Sequence, residues 1–426
     1  MSQQESLAAE NALIDDVADW LMARALGTTD IEDILRGCCE RLRAADIPLA
    51  RASIGFRTLH PLFRHVTLVW HKDQNLEKIE HPHGPAGPDF QQSPHYHMLQ
   101  RNIPLLRRRL DEEHPTLDFS VLSEFREAGG TDYLAYQFAF GEPAKDPLQR
   151  DGMIGSWLCD RPGGFSDADI KVLRRIQRRM SVACKLSIKE QITRNILDAY
   201  LGGHAGKMVH EGTISRGSGE RIHAVIWFTD LRGSTELSKQ LPLEEFLSVL
   251  NAFFESVADA VLDRGGEVLR FIGDAALAIF PMEGHAVSDP RECPIHQAAC
   301  GKAMAAARDA IGRMERLNQD RLAEGKEPLG FGIGLHVGDV MYGNIGVPRR
   351  VEFSVVGHAA NHAAKMESLC KRLDIPLLVS RQFAEIHQRQ WADLGEHQIG
   401  GDGAQRLFTL PELVHDGVRA ETVSVN

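Results

Sequence analysis

The sequence predicts an α+β protein of two domains. Three observations carry this. At 426 residues the chain has the length of two or three domains and ample material for their cores. Strand-like and helix-like patterns are mixed along the chain. Between the two halves, residues 200–220 are rich in Gly, Ser and basic side chains: Leu-Gly-Gly-His-Ala-Gly-Lys, then Ser-Arg-Gly-Ser-Gly-Glu-Arg. Such composition marks a domain boundary.

In the first half, Leu13, Val17, Trp20, Leu21 and Ala25 recur at helical spacing over 10–26. Strands are expected at 51–59 and 65–71. Mixed apolar and polar residues with turn formers such as His-Pro-His-Gly-Pro fill 73–102. Further strands are expected at Ile103–Leu110, Asp132–Phe140 and Met153–Cys159. Ser166 and Asp169 make a capping-box pattern, and apolar residues from Ile170 to Leu186 continue it as a helix to about 198.

In the second half a strand at 222–230 leads to a helix at 243–264, with Pro242 at its start and Gly265-Gly266 at its end. A hairpin over 267–280 follows, then a helix at 292–323 and a strand at 330–340. Another strand ends at Val356, a helix covers 358–373, and Leu377–Val379 is a short strand. This βαββαβ order with extra hairpin strands resembles the ferredoxin-like arrangement. Gly-x-Gly at 332–334 lies inside a strand and is no dinucleotide fingerprint.

Composition bounds the function. The net charge of −11 argues against general nucleic-acid binding. No apolar run reaches transmembrane length, and the N-terminus does not read as a secretory signal, so no membrane insertion is expected. The seven scattered cysteines contain no Cys-x-x-Cys and read as reduced core thiols in a cytoplasmic protein.

The chemistry is expected at two strand-end carboxylates. Asp230 closes Ala-Val-Ile-Trp-Phe-Thr-Asp, and Asp274 lies between two apolar runs in Phe-Ile-Gly-Asp-Ala-Ala-Leu-Ala-Ile-Phe. If the strands pair, two anions face each other, which is costly unless a cation lies between them. A divalent metal handling phosphates is the usual reason for such a site. Gly273-Asp274 also suits an ordinary hairpin turn. After Asp230, Leu231-Arg-Gly-Ser-Thr235 makes a turn whose amides suit a triphosphate; a simple helix cap is the plainer alternative. Asn361 and Lys365, four apart on a helix, project together, and an amide beside a cation suits a phosphoryl transition state. A solvated surface pair is the plainer reading.

Together these segments resemble the catalytic domain of the class III nucleotidyl cyclases, the adenylate and guanylate cyclases. The matching stretches are Phe228-Thr-Asp-Leu-Arg-Gly-Ser-Thr235, Gly266-Glu-Val-Leu-Arg-Phe-Ile-Gly-Asp274, Gly332-Ile-Gly-Leu-His-Val-Gly-Asp-Val340, Gly343-Asn-Ile-Gly346 and Val356-Gly-x-x-x-Asn361. The resemblance implies that Asp230, Asp274 and the Leu231 carbonyl hold two Mg²⁺ or Mn²⁺ ions per active site. It implies that Gly233, Ser234 and Thr235 meet the phosphates and that Arg270 and Ser354 read the base. Asn361 would orient the ribose and Lys365 would stabilise the transition state. It also implies a homodimer, with Asp230 and Asp274 from one subunit and Ser354, Asn361 and Lys365 from the other. Adenylate cyclases usually carry Lys at position 270 and Asp or Thr at 354, and Arg is usual at 365. This chain has Arg270, Ser354 and Lys365 there, but the intact aspartate pair and Asn361 make the first expectation an adenylate cyclase producing 3′,5′-cyclic AMP and pyrophosphate from ATP. The alternatives are a cyclase for GTP or another nucleotide, and a weakly active nucleotide-binding regulatory module.

Residues 1–195 more loosely resemble a GAF-like α/β sensor domain, the clearest cue being Gly163-Gly-Phe-Ser-Asp-Ala-Asp169. Rhizobial-type soluble cyclases share this layout. The expected division is a sensor at 1–195, a connector at 196–220, a cyclase domain at 221–412 and a tail at 413–426. The input is an unidentified small molecule or protein; Phe63, Trp70 and Tyr96 are expected to line a pocket. His81/His83 and His95/His97 would share a strand face, although metal or haem ligation is not the favoured reading.

Overall fold

The computed structural model describes residues 3–141, 149, 151–282, 290–415, 418 and 420–425, with side chains from residue 12 onward except at 290. By internal contacts the chain divides into Met1–Ala199 and Tyr200–Asn426. Of the expected tail, residues 416, 417, 419 and 426 lie outside the described residues.

The first unit opens with helices α1 (Gln3–Leu26) and α2 (Ile31–Ala44). Ile14, Val17, Leu21 and Ala25 form the buried stripe of α1, whereas Leu13 faces solvent. Asp30 caps α2 by accepting from the Glu32 amide. Strands β1 (Leu49–Arg57), β2 (Phe63–His71) and β3 (Glu77–Pro82) follow. Short helices α3 (Pro88–Gln91) and α4 (Pro94–Arg101) lead to β4 (Leu105–Arg109), α5 (Ser120–Glu127), β5 (Asp132–Ala139) and β6 (Gly152–Cys159). The sheet order is β3-β2-β1-β6-β5-β4, all antiparallel.

Helix α6 (Asp167–Leu201) then begins with the expected box: Asp169 N donates to Ser166 Oγ at 3.1 Å, and Ser166 N donates to Asp169 Oδ2 at 2.8 Å. Just before it, Asp132 is fully buried and receives both Arg107 and the Phe165 amide. This ties the Gly-Gly-Phe lead-in to the sheet.

Two expectations fail here. β3 lies in the stretch read as turns; every residue of it is exposed, so no apolar alternation marked it. His95 and His97 lie on α4, not on a strand, because Ser93 caps and Pro94 starts a helix there.

The second unit holds α7 (Gly203–His210), β7 (Gly219–Arg232), α8 (Ser234–Gln240), α9 (Leu243–Leu262), β8 (Glu267–Ile272), β9 (Ala275–Pro281) and α10 (Pro294–Ala323). It continues with β10 (Gly330–Val347), β11 (Arg350–Val356), α11 (His358–Leu373), β12 (Leu377–Ser380), α12 (Arg381–Ile386), β13 (Gln390–Gln398), β14 (Ala404–Thr409) and β15 (Glu421–Ser424). Four central strands run β10-β7-β9-β8, every neighbouring pair antiparallel. Counted along βαββαβ, that order is 4-1-3-2, the ferredoxin-like arrangement. β12, β14, β13 and β15 extend the sheet beyond β10, and β11 folds back on β10 as a hairpin.

One face of the sheet packs Val225, Trp227, Phe280 and Ile333 against α9 and α10. The other face packs α11, through residues that include Ala359 and Ala363. Among the described residues no helix is long and apolar enough to cross a membrane. All seven cysteines are free, and all but Cys293 are buried.

Candidate active site

The centre of the site follows from strand register. Asp230 ends the buried run of β7 and stands opposite Ala275 on β9 and Gly332 on β10. Asp274 occupies the β8–β9 turn beside Gly273, whose φ of 64° favours glycine. The Leu231 amide donates to the Asp274 carbonyl at 3.3 Å, tying the two segments. The structure thus brings Asp230, Leu231 and Asp274 together, and Leu231 anchors the corner through its buried side chain.

Two carboxylates this close perturb each other. Burial, then the Asp274 charge and its hydrogen bond, raise the Asp230 carboxyl to about 6. Asp230 Oδ1 is buried and has no hydrogen-bond partner among the described residues. An orphaned carboxylate oxygen facing a second acid fits a divalent cation, which would supply the missing partner and the opposite charge.

A third carboxylate, which sequence reasoning missed, stands nearby. Glu367 of α11 is 6% exposed. Burial, then the charge of Asp230, raises it to about 8, although Arg232 pulls the other way. Gly332 makes its room: a Cβ there would overlap the Glu367 carboxylate and lie 2.8 Å from the Cys370 Cβ. The available signal was Gly332 inside a strand, where glycine often marks close approach by another group.

Beyond Asp230 the backbone turns at Gly233, with φ at 75° and open space where a Cβ would be. Ser234 and Thr235 start α8 there; Thr235 is exposed and Ser234 half-buried.

Arg270 and Ser354, 84 positions apart in sequence, meet within one chain. Arg270 Nη1 donates to Ser354 Oγ at 3.1 Å, and Nη2 pairs with Glu352 Oε1 at 2.8 Å. Glu352 also escaped the sequence reading. It lies two residues before Ser354 on β11, so the period of a strand puts both on one face.

Asn361 and Lys365 lie one turn apart on α11; Asn361 is exposed and Lys365 half-buried. Lys365 Nζ donates to Asp402 Oδ2 at 3.2 Å. Asp402, from the β13–β14 loop, also contacts His358 and His362. Burial works to raise the Asp402 carboxyl, but the hydrogen bonds from Lys365, His362 and His358 outweigh it and bring it down to about 2. No local pattern marked Asp402, which arrives from 37 positions away.

In the first unit, a cavity of about 520 Å³ is lined by Phe56, Arg57, Arg64, His65, His81, His83, Phe90, His95 and Phe138 among others. The aromatics expected there lie elsewhere. Trp70 belongs to the main core, Phe63 stacks on His60, and Tyr96 packs edge-on against Phe90. Burial, then nearby Arg64, lowers His65 to about 4; burial, then Arg51, lowers His95 to about 4. The two imidazoles are therefore neutral near pH 7.

Residues 219–411 match the family model of the adenylate and guanylate cyclase catalytic domain. The C-terminal unit therefore carries a class III adenylate/guanylate cyclase catalytic domain. The uncharacterized protein Rv1318c of Mycobacterium tuberculosis is 35% identical over 203 residues, 46% of this chain and 34% of the relative. Rv1320c of the same organism is 35% identical over 184 residues, 42% of this chain and 29% of the relative. The chain thus spans about a third of the length of the curated relatives it matches. Among solved structures, the guanylyl cyclase Cya2 is 28% identical, covering 45% of this chain and 92% of its own at a TM-score of 0.37. A bacterial light-regulated adenylyl cyclase is 20% identical, covering 62% of this chain and 84% of its own at a TM-score of 0.45.

Proposed function

We propose that the protein is a homodimeric nucleotidyl cyclase that converts ATP to 3′,5′-cyclic AMP and pyrophosphate. The observation that carries this reading is the Asp230–Asp274 pair, with a buried oxygen on Asp230 that has no partner among the described residues. Asp230, Asp274 and the Leu231 carbonyl would hold two Mg²⁺ or Mn²⁺ ions. When bound, these ions supply positive charge at the ribose 3′-hydroxyl and at the departing pyrophosphate. In the reaction the 3′-oxygen bonds to the α-phosphorus, the bridge to the β-phosphate breaks, and the hydroxyl proton passes to solvent.

The chain's own residues provide the rest. The turn at Gly233, Ser234 and Thr235 offers amides and hydroxyls to the phosphates. Asn361 orients the ribose, and Lys365 meets the charge that spreads over the phosphoryl oxygens. Lysine keeps that charge without the bidentate fork of arginine. Lys365 pairs with Asp402 in its own chain, so turnover requires it to exchange that partner for the phosphate. In the dimer, Arg270, Ser354, Asn361 and Lys365 of one subunit face the acids of the other. The contact of Arg270 with Ser354 in one chain supports a shared base-reading patch.

A second reading, a cyclase for GTP, is favoured by Glu352. A guanine offers O6 to Arg270 and its N1–H and N2–H to a carboxylate, whereas adenine needs only one acceptor and one donor opposite it. We infer further that residues 1–195 form a GAF-like sensor. Its support is the six-stranded antiparallel sheet and the cavity, whose arginines and neutral His65 and His95 suit a small anionic or hydrogen-bonding ligand. Helix α6 continues from that sensor into the cyclase half, a covalent route for regulation.

Incubating purified full-length protein with Mn²⁺ and, separately, ATP, GTP, CTP and UTP tests the proposal. Cyclic AMP as the main product supports it, and cyclic GMP selects the second reading. Nucleotide binding without pyrophosphate release from any of the four leaves only a regulatory module.

A further inference from the structure

We propose that His358, His362 and Asp402 form a binding site for a divalent transition ion of the zinc class, separate from the Asp230–Asp274 pair. The two histidines are one turn apart on α11, so their imidazoles share a face. The β13–β14 loop brings Asp402 against both: Oδ1 is 3.0 Å from His358 Nε2, and Oδ2 is 3.1 Å from His362 Nδ1. The three ligand atoms all lie within 4.8 Å of one another. A tetrahedral ion with bonds near 2.0–2.1 Å needs ligand separations of about 3.3 Å, a small adjustment from this arrangement.

Exposure fits the same use. The side chains of His362 and Asp402 are 6% and 9% exposed, and that of His358 is 75% exposed. The inner ligands are thus held by packing, while the outer one opens a path for the ion and a fourth position for water. Two imidazoles and one carboxylate suit zinc, whereas magnesium favours an all-oxygen shell.

A second observation points the same way. His336, 7% exposed, stands with its ring centroid 4.3 Å from that of His362, and its Nδ1 has no hydrogen-bond partner among the described residues. An unpartnered buried imidazole is costly in an ordinary core, and here it backs one of the ligands.

The site adjoins Lys365. Asp402 Oδ2 serves both His362 and Lys365, so an ion seated there takes that oxygen and adds two positive charges beside the ammonium. Metal binding therefore competes with the Lys365–Asp402 pair and weakens it. That consequence for turnover rests on the role proposed above for Lys365; the metal site itself does not.

The test uses the full chain, stripped with a chelator and titrated with Co²⁺ as a spectroscopic stand-in, then with Zn²⁺. The expected result is the intense visible absorption of tetrahedral cobalt, saturating at about one ion per chain and bleached by zinc. His358→Ala changes an exposed side chain and leaves the fold intact; it should weaken binding at least about tenfold, as should Asp402→Asn. Asp274→Asn should leave the absorption unchanged. Full tetrahedral absorption in both His358→Ala and His362→Ala, or only weak octahedral absorption in the parent, would overturn the proposal. The readout is absorption, so a chain that makes no cyclic nucleotide can still pass, and a failed cobalt spectrum leaves the cyclase reading standing.

Discussion

Replacing Asp274 by Asn should make the metal-free protein more stable while destroying its activity. An acid raised above its ordinary value in the folded state binds a proton more tightly there than in the unfolded chain. For Asp230 the folded state is therefore penalised as pH rises from about 4 through about 6; the penalty is full above that window and absent below it. Moving a carboxyl from 3.8 to about 6 corresponds to roughly 3 kcal/mol for a fully buried group. Asp230 is only half-buried, and solvent screening reduces this to about 1–2 kcal/mol. Burial, the largest cause, survives the substitution, so removing the Asp274 charge should return about 1 kcal/mol. For a unit of this size that is about 2–4 °C in Tm. The assay is calorimetry of the full chain in EDTA, following the transition that added Mn²⁺ shifts in the parent. Asp274→Asn should melt higher than the parent at about pH 7.5, lose that advantage near pH 4.5, and no longer respond to Mn²⁺. An equal or lower Tm at about pH 7.5, or an unchanged Mn²⁺ response, would refute the claim that the two acids repel each other across an ion site.

Three other outcomes are expected. Arg270→Lys and Glu352→Gln should each change the ratio of ATP to GTP turnover, measured as cyclic product at equal nucleotide; an unchanged ratio in both removes that pair from base reading. Gly332→Ala drives a methyl into the Glu367 carboxylate and should cost about 1–3 kcal/mol by urea midpoint, with no loss showing that the helix can shift freely. Arg107→Met leaves Asp132 buried without its cation and should cost about 3–5 kcal/mol, read from chemical unfolding of the first unit; a loss under about 1 kcal/mol would mean that the Phe165 amide alone suffices.

Much of the fold was legible because local pattern and tertiary role agree. The apolar run to Asp230, the Gly273-Asp274 turn and the Ser166–Asp169 box each reappear within a few residues of their expected positions. Where they differ, the cause is local. β3 is an exposed edge strand with no apolar alternation, and Ser93-Pro94 starts a helix where histidine pairs suggested a strand. Leu13 and Ile14 are adjacent on α1, and only packing decides which turns inward. The places of Asp230, Asp274, Asn361 and Lys365, at strand ends and along one helix, were legible because each follows from its own element; their roles are those proposed above. Glu367, Glu352 and Asp402 were not legible, since each matters through a neighbour brought by another element: Gly332, Arg270 and Lys365. The aromatic lining expected in the first unit failed because tertiary partners decide it: Trp70 packs into the main core, while Phe63 and Tyr96 lie on His60 and Phe90.

The most direct measurement is the rate of pyrophosphate release by Asp274→Ala beside the parent, with Mn²⁺ and the parent's preferred nucleoside triphosphate. The account predicts a rate at the no-enzyme background for the variant, with its fold retained by circular dichroism. Release at the parental rate would contradict it, for the two acids would then not be holding the ions on which cyclisation depends.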